Sequence, residues 1–208
     1  MRYMTGILAM AAIVVASNIL VQFLILDGLL TWGAFTYPLA FLVTDIMNRI
    51  YGVAAARRVV LVGFVVGVLS SLVGSQIMLE HGPAVALRIA VGSATAFLVA
   101  QLLDVVIFDR LRGGAWWRAP LVSTVVGSSV DTALFFSIAF AASITVFGPD
   151  ADAAINWAWE PVPFLLSGPV APLWITLAVT DWGVKLCVGI ISLIPFRIIV
   201  RKVSHGLG

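Results

Sequence analysis

The sequence predicts an all-α integral membrane protein of six transmembrane helices, and three features carry that expectation. Of 208 residues, 62% are apolar and 11% charged, whereas a soluble domain has about 45–50% and about 25%. The apolar residues fall in runs of about 20 or more, the length a bilayer core requires of a helix. The charges gather between those runs and alternate in sign from one loop to the next. Such a chain holds too little charge to stay disordered, and its runs are too long for the alternating strands of a barrel. Inside lipid, where every backbone group needs a partner, the helix remains.

The first run, 6–26, follows Arg2 and is longer than the apolar region of a signal peptide, so it is expected to persist as a helix. The second, 33–54, contains Pro38, a candidate break. The third, 59–79, follows the Arg57-Arg58 pair, and the fourth, 86–108, opens beside Arg88. The fifth, 120–147, follows Gly113-Gly114-Ala115-Trp116-Trp117-Arg118, a short turn whose tryptophans suit headgroup depth; Gly127 is a second candidate break. The sixth, 171–197, precedes Arg201 and Lys202. With the N-terminus inside, one side receives Arg2, Arg49, Arg57, Arg58, Arg110, Arg112, Arg118, Arg197, Arg201 and Lys202, while the other receives Arg88. The positive-inside rule therefore predicts both termini in the cytoplasm. The opposite loops collect Asp27, Glu80, Asp150, Asp152 and Glu160, with 148–170 as the one long loop. The chain reads as a single transmembrane domain, 1–208.

Net charge of +2 gives no argument for nucleic acid, and the single Cys187 supports neither a disulfide framework nor a cysteine zinc site. No metal or cofactor is expected.

Inside the runs lie Asp45, Asp104, Asp131, Asp181 and Lys185, with Asn18, Gln22, Asn48, Arg49, Gln101, Ser128 and Ser129. A central Asp or Lys costs roughly 2.5–3.5 kcal/mol on insertion scales, so these groups must pair or line water. Residues three or four apart share a helix face. That spacing links Asp45 with Asn48 and Arg49, Gln101 with Asp104, Ser128 with Asp131, and Asp181 with Lys185. Local ion pairs Asp45–Arg49 and Asp181–Lys185 are one reading of these stripes. A hydrated polar cavity enclosed by four helices is the other, and intramembrane ionisable groups are by default a ligand-site hypothesis. Val43-Thr44-Asp45 with Arg49 and Val179-Thr180-Asp181 with Lys185 repeat the same groups on two helices of the same direction, as parallel transporter repeats do.

No GxxxxGK[ST], HExxH or GxSxG motif is present, and His81 and His205 fall outside the runs, so the chain is read as a non-enzyme. An intramembrane aspartyl enzyme stays open as a distant alternative, because four Asp lie within spans.

The segment Thr31-Trp32-Gly33-Ala34-Phe35-Thr36-Tyr37-Pro38 through Asp45, continued by Arg49-Ile50-Tyr51-Gly52 and Arg57-Arg58, resembles the queuosine-precursor transporter family, once called the vitamin uptake transporter family, in its proteobacterial branch. The resemblance continues through Gln101-Leu102-Leu103-Asp104-Val105, Arg110-Leu111-Arg112, Trp116-Trp117, Ser123-Thr124 to Asp131-Thr132, and Asp181, Lys185 and the run to Pro195. Related proteins often carry an amide near Ser128 or Ser129, which this chain lacks. The resemblance implies a multi-pass inner-membrane importer of 7-deazaguanine bases, the 7-cyano and 7-aminomethyl precursors of the tRNA nucleoside queuosine. It leaves open a substrate-binding subunit of a larger uptake complex, the energy source, and self-association into a homo-oligomer.

The expected substrate-binding residues are Asn18, Asp45, Arg49, Gln101, Asp104, Asp131 and Lys185. A deazaguanine presents a ring N–H beside an exocyclic amine, two donors that one carboxylate, Asp45 or Asp131, can accept together. Gln101 or Asn18 would meet the adjacent carbonyl, and Phe35, Tyr37 or Trp182 would stack on the ring.

Overall fold

A computed structural model describes residues 3–21, 23–26, 29–79 and 82–206. Arg2, Gln22, Asp27, Glu80 and His81, and the side chain of His205, lie outside the described residues. The chain is mostly helical, and among the described residues four helices are long and apolar enough to cross a membrane: α4 (Val53–Gln76), α5 (Leu87–Leu111), α6 (Arg118–Phe140) and α8 (Leu173–Gly206). Shorter helices are α1 (Met4–Leu20), α2 (Gly33–Thr36), α3 (Leu39–Tyr51) and α7 (Pro149–Ala153).

The helices depart from the apolar runs where local chemistry intervenes. The first run loses its end to a hairpin, in which β1 (Leu24–Ile25) pairs with β2 (Leu30–Thr31). The second is divided at Tyr37-Pro38: proline has no N–H to continue α2, but its fixed φ suits the residue that opens α3. Gly52 then turns the chain with φ +84°, so one residue separates α3 from α4 and the Arg57-Arg58 pair lies within α4. Gly127 breaks nothing; α6 runs through it. The fifth run stops at Phe140, where Ala141 becomes extended. The segment 148–170 is folded: α7 leads to a 3-10 turn at Asn156–Trp159 and to β5 (Pro161–Pro163), which pairs with β6 (Val170–Pro172). A further hairpin, β3 (Met78–Leu79) with β4 (Gly82–Pro83), links α4 to α5.

Lipid offers no hydrophobic drive between helices, so close approach of small residues must hold them. Ala40, Ala56, Ala96 and Ala100 are buried at 0–1% exposure, and Met10, Val59, Val60 and Phe97 fill the spaces among α1, α3, α4 and α5. On the outside, Leu61, Val65, Leu69 and Leu72 form an exposed apolar stripe at helical spacing on α4, and Ile190, Ile191, Ile194 and Ile198 another on α8. Charge is polarised along the bundle. Arg58 donates to the Tyr3 hydroxyl, Arg49 reaches Arg112, and the Arg197 guanidinium lies 4.5 Å from the centre of the Trp116 ring, all at one end. The opposite end carries the folded acidic segment 148–170.

A Cβ on Gly127 would stand 2.8 Å from Phe41 Cε1. Gly127→Val should therefore destabilise by about 1–3 kcal/mol through overpacking. Gly183→Ala, whose Cβ would meet nothing within 4 Å, should be neutral or slightly stabilising, since Ala is the better helix former. Thermal unfolding in detergent compares the two.

Candidate functional site

Among the described residues, Asp45, Asp104, Asp131 and Asp181 gather in two centres that share α6. In the first, Lys185 of α8 sits between two acids. Its Nζ lies 2.7 Å from Asp131 Oδ2 on α6 and 2.5 Å from Asp181 Oδ2 one turn back on α8. Thr132 completes the junction, accepting from Lys185 at 3.1 Å and donating to Asp181 at 3.1 Å. Tyr37, placed by the break before α3, donates its hydroxyl to Asp131 Oδ1 at 2.8 Å, and its ring centre is 5.3 Å from Lys185 Nζ. Asp131 and Lys185 are 2% and 3% exposed. The local Asp181–Lys185 pair expected from spacing therefore forms, together with a bond across the bundle to Asp131.

Tyr37 also connects this centre to a cleft. Its ring packs edge-on against Phe97, 6.2 Å between centres. Both line a cleft with Asn18, Phe64, Ser71 and Ser93. Asn18 Nδ2 donates to Val14 O at 2.9 Å. Phe35 and Trp182, the other aromatics considered for stacking, are largely exposed, and Trp182 Nε1 donates to Ser129 Oγ.

The second centre lies between α3, α5 and α6. Asp45 accepts from Ser123 Oγ at 3.2 Å and from Thr124 Oγ1 at 3.4 Å, and Asp104 is its neighbour on α5. Thr44 donates to Gln101 Oε1 at 2.6 Å, and Asn48 Nδ2 to Val105 O at 2.9 Å. Several atoms are left over: Asn48 Oδ1, Gln101 Nε2, both oxygens of Asp104 and, nearby in sequence to Asp131, Ser128 Oγ are buried without a hydrogen-bond partner. Native proteins keep few such groups, and each calls for an explanation such as a ligand or ion. A small cleft lined by Pro38, Phe41, Thr124, Ser192 and Phe196 reaches Asp45.

Arg49 belongs to neither centre. Its Nη1 donates to Arg112 O at 2.6 Å, while Arg112 Nη2 donates back to Asn48 O at 3.3 Å and Arg49 O at 3.4 Å. Each arginine thus satisfies carbonyls at the C-terminal end of the other's helix. No Asp45–Arg49 ion pair forms among the described residues, because Arg49 lies in the last turn of α3 and reaches the helix ends instead. The matched spacing of Asp45/Arg49 and Asp181/Lys185 conceals two different arrangements.

Sequence spacing missed Thr44 and Thr132, whose hydroxyls link charged or amide groups; their adjacency to Asp45 and Asp131 was the available signal. It also missed Arg88, counted with the loops. Arg88 is fully buried, paired with Asp152 at 2.6 Å and donating to Ile138 O and Ala141 O. No group of three or more His, Cys, Asp or Glu placed to hold a metal occurs among the described residues.

Comparison with known proteins supplies the chemical context. A family model described as "Putative vitamin uptake transporter" matches residues 31–200. A Haemophilus influenzae protein named "Probable queuosine precursor transporter" is 37% identical over 191 residues, 84% of this chain and 72% of that protein. The Escherichia coli "Queuosine precursor transporter" is 34% identical over 196 residues, 88% and 79% of the two chains. A Bacillus subtilis "Probable queuosine precursor transporter" is 28% identical over 190 residues, 83% and 72%. No solved structure matches.

Proposed function

The chain belongs to the vitamin uptake transporter family, and from that premise we propose that it imports queuosine precursors, 7-deazaguanine bases, across the membrane. The observation that carries this is the identity of 34–37% to two proteins named as queuosine precursor transporters, across more than four-fifths of the chain.

The proposed topology has six crossings, α1, α2 with α3, α4, α5, α6 and α8, in a bacterial inner membrane. Both termini are cytoplasmic, because the basic end of the bundle is the one that the positive-inside rule retains. Exposed apolar stripes on α4 and α8 support contact with lipid.

The proposed base site is the cleft beside Tyr37. The ring would stack on Tyr37 and Phe97, with Asn18 within the same cleft. Tyr37 would then yield Asp131 Oδ1 to the paired N–H donors of the base, while Lys185 holds the other oxygen. Asp131 suits this better than Asp45, since Tyr37 joins it directly to an aromatic cleft. Gln101, Asp45 and Asp104 form the second polar centre beside it, and Arg49 ties helix ends.

Uptake of labelled 7-cyano- and 7-aminomethyl-7-deazaguanine by liposomes holding this protein alone tests the reading. Uptake without a partner is expected. Uptake that requires a second component would make the chain a binding subunit, and chemical change of the base would make it an enzyme. Within the site, Tyr37→Ala should reduce uptake by about tenfold or more, the value of a lost stacking platform plus a lost polar contact. Tyr37→Phe, which keeps the ring, should lose less. Equal effects of the two would remove stacking from the account.

A further inference from the structure

Of the two acidic centres within the helices, one holds a cationic side chain and the other does not. Lys185 stands between Asp131 and Asp181. Asp45 and Asp104, 2% and 0% exposed, neighbour one another across α3 and α5, and no Lys, Arg or His is ion-paired with either among the described residues. The groups facing them are polar but uncharged. From α6 come the Ser123 and Thr124 hydroxyls; from α5, Gln101 lies one turn before Asp104; from α8, Ser192 borders the cleft at Asp45. On α3 itself, Asn48 is neutral and Arg49 is turned to Arg112. Helix α1 carries no charged residue, and the two arginines of α4, Arg57 and Arg58, are exposed.

The unfilled valences at this centre are mostly acceptors. Both Asp104 oxygens and Asn48 Oδ1 are buried without a well-formed hydrogen bond, Asp104 having only Asp45 and the Ser123 hydroxyl as polar neighbours among the described residues, and Asp45 is held by two long hydroxyl contacts. Two buried carboxyls side by side with no counter-charge cannot both ionise unless a small positive ion stands between them. Oxygen-only donors of this kind select a hard cation. We propose that Asp45 and Asp104, with Asn48 Oδ1 and the Ser123 and Thr124 hydroxyls, bind one small monovalent cation, a proton or a sodium ion, whose inward flow drives uptake of the base. The drive rests on the importer reading; the ion site does not.

The experiment has two halves. Thermal unfolding of the purified protein in detergent is measured in sodium chloride against choline chloride, and across about pH 5.5–8.5, for wild type, Asp104→Asn and Ser123→Ala. In liposomes, uptake of labelled base is measured with an inward sodium gradient, an inward proton gradient and neither, with base counterflow in the wild type as the control. The expected result is a midpoint that responds to one of the two ions in wild type, responds more weakly in Ser123→Ala and not at all in Asp104→Asn. The same ion's gradient should raise wild-type uptake several-fold, and that ratio should fall to one in Asp104→Asn. Response to sodium or to pH identifies the ion. If Asp104→Asn does not fold, the weakened response of Ser123→Ala decides in its place. A midpoint whose ion response is identical in every variant overturns the site. An ion response together with uptake indifferent to both gradients overturns the coupling. Absence of counterflow in wild type defeats the importer reading instead, and the unfolding data still decide the ion site.

Discussion

Lys185→Met is expected to lower the unfolding midpoint sharply and to reduce the yield of folded protein, with the loss largely reversed in the triple variant that adds Asp131→Asn and Asp181→Asn. Lys185 binds two carboxylates at once, at 2.7 and 2.5 Å, in a place where all three groups are shielded. Removing the ammonium leaves two uncompensated anions facing each other through Thr132, and breaking a buried pair in this way costs about 3–5 kcal/mol. Replacing the whole set with neutral groups removes the charge problem together with the attraction, which is why recovery is expected. Asp181→Leu alone should be milder, because Lys185 keeps Asp131 and Asp181 is the more exposed acid of the two. Size-exclusion profiles and unfolding midpoints in detergent measure all three. A wild-type midpoint for Lys185→Met would show that the lysine is not what holds α6 to α8. Uptake by the refolded triple variant then separates a packing role from a role in transport: recovery of uptake makes the centre structural, and loss with normal folding leaves it in the transport path.

Arg88→Met is expected to cost a similar amount, about 3–5 kcal/mol, at the other end of the bundle. Its guanidinium is buried and contacts Asp152 at 2.6 Å, Ala141 O at 2.8 Å and Ile138 O at 3.1 and 3.2 Å, with the Phe147 ring 5.6 Å away. The two carbonyls belong to the end of α6, where helix acceptors run out of internal donors. Arg88 therefore ties α5, the end of α6 and the acidic α7 together through one side chain. Asp152→Asn keeps an acceptor at a partly exposed position, and about 1 kcal/mol is expected there. Lysine in place of Arg88 has one nitrogen and cannot serve both carbonyls and the carboxylate in a fork. Limited proteolysis between 141 and 160 should accelerate in Arg88→Met and change little in Asp152→Asn; equal protection in both would mean that the segment is held by the packing of Ile155 and Ala158 against Phe136 and Phe140.

The long helices were legible because hydrocarbon thickness dictates a run length, and α4, α5, α6 and α8 each cover most of one apolar run, with ends that shift in both directions. The break at Tyr37-Pro38 was half legible: proline marked a candidate, but Gly127 looked equally eligible until its close contact with Phe41 gave the glycine a packing role. Spacing identified which residues share a helix face, and so assembled Asp181 with Lys185 correctly. It carried no information about which face opposes which, and so could not foresee Lys185 with Asp131, 54 positions away, or the divergence of Arg49 from Asp45. Arg88 was misplaced because a lone arginine at a span's edge reads as a loop charge, when burial depended on a folded segment more than fifty residues later.

The exchange between Arg49 and Arg112 has an evolutionary side. Both arginines bind main-chain oxygens of the other's helix end, and no substitution at Asn48, or at any neighbour, can delete a main-chain oxygen. This tie between the ends of α3 and α5 is thereby encoded by two codons, and its one carboxylate neighbour, Asp109, pairs with Arg112 from the same side of the junction, one turn earlier. Loss of Arg49 removes one bond of this tie and loss of Arg112 removes two, so a change in either arginine leaves part of it standing.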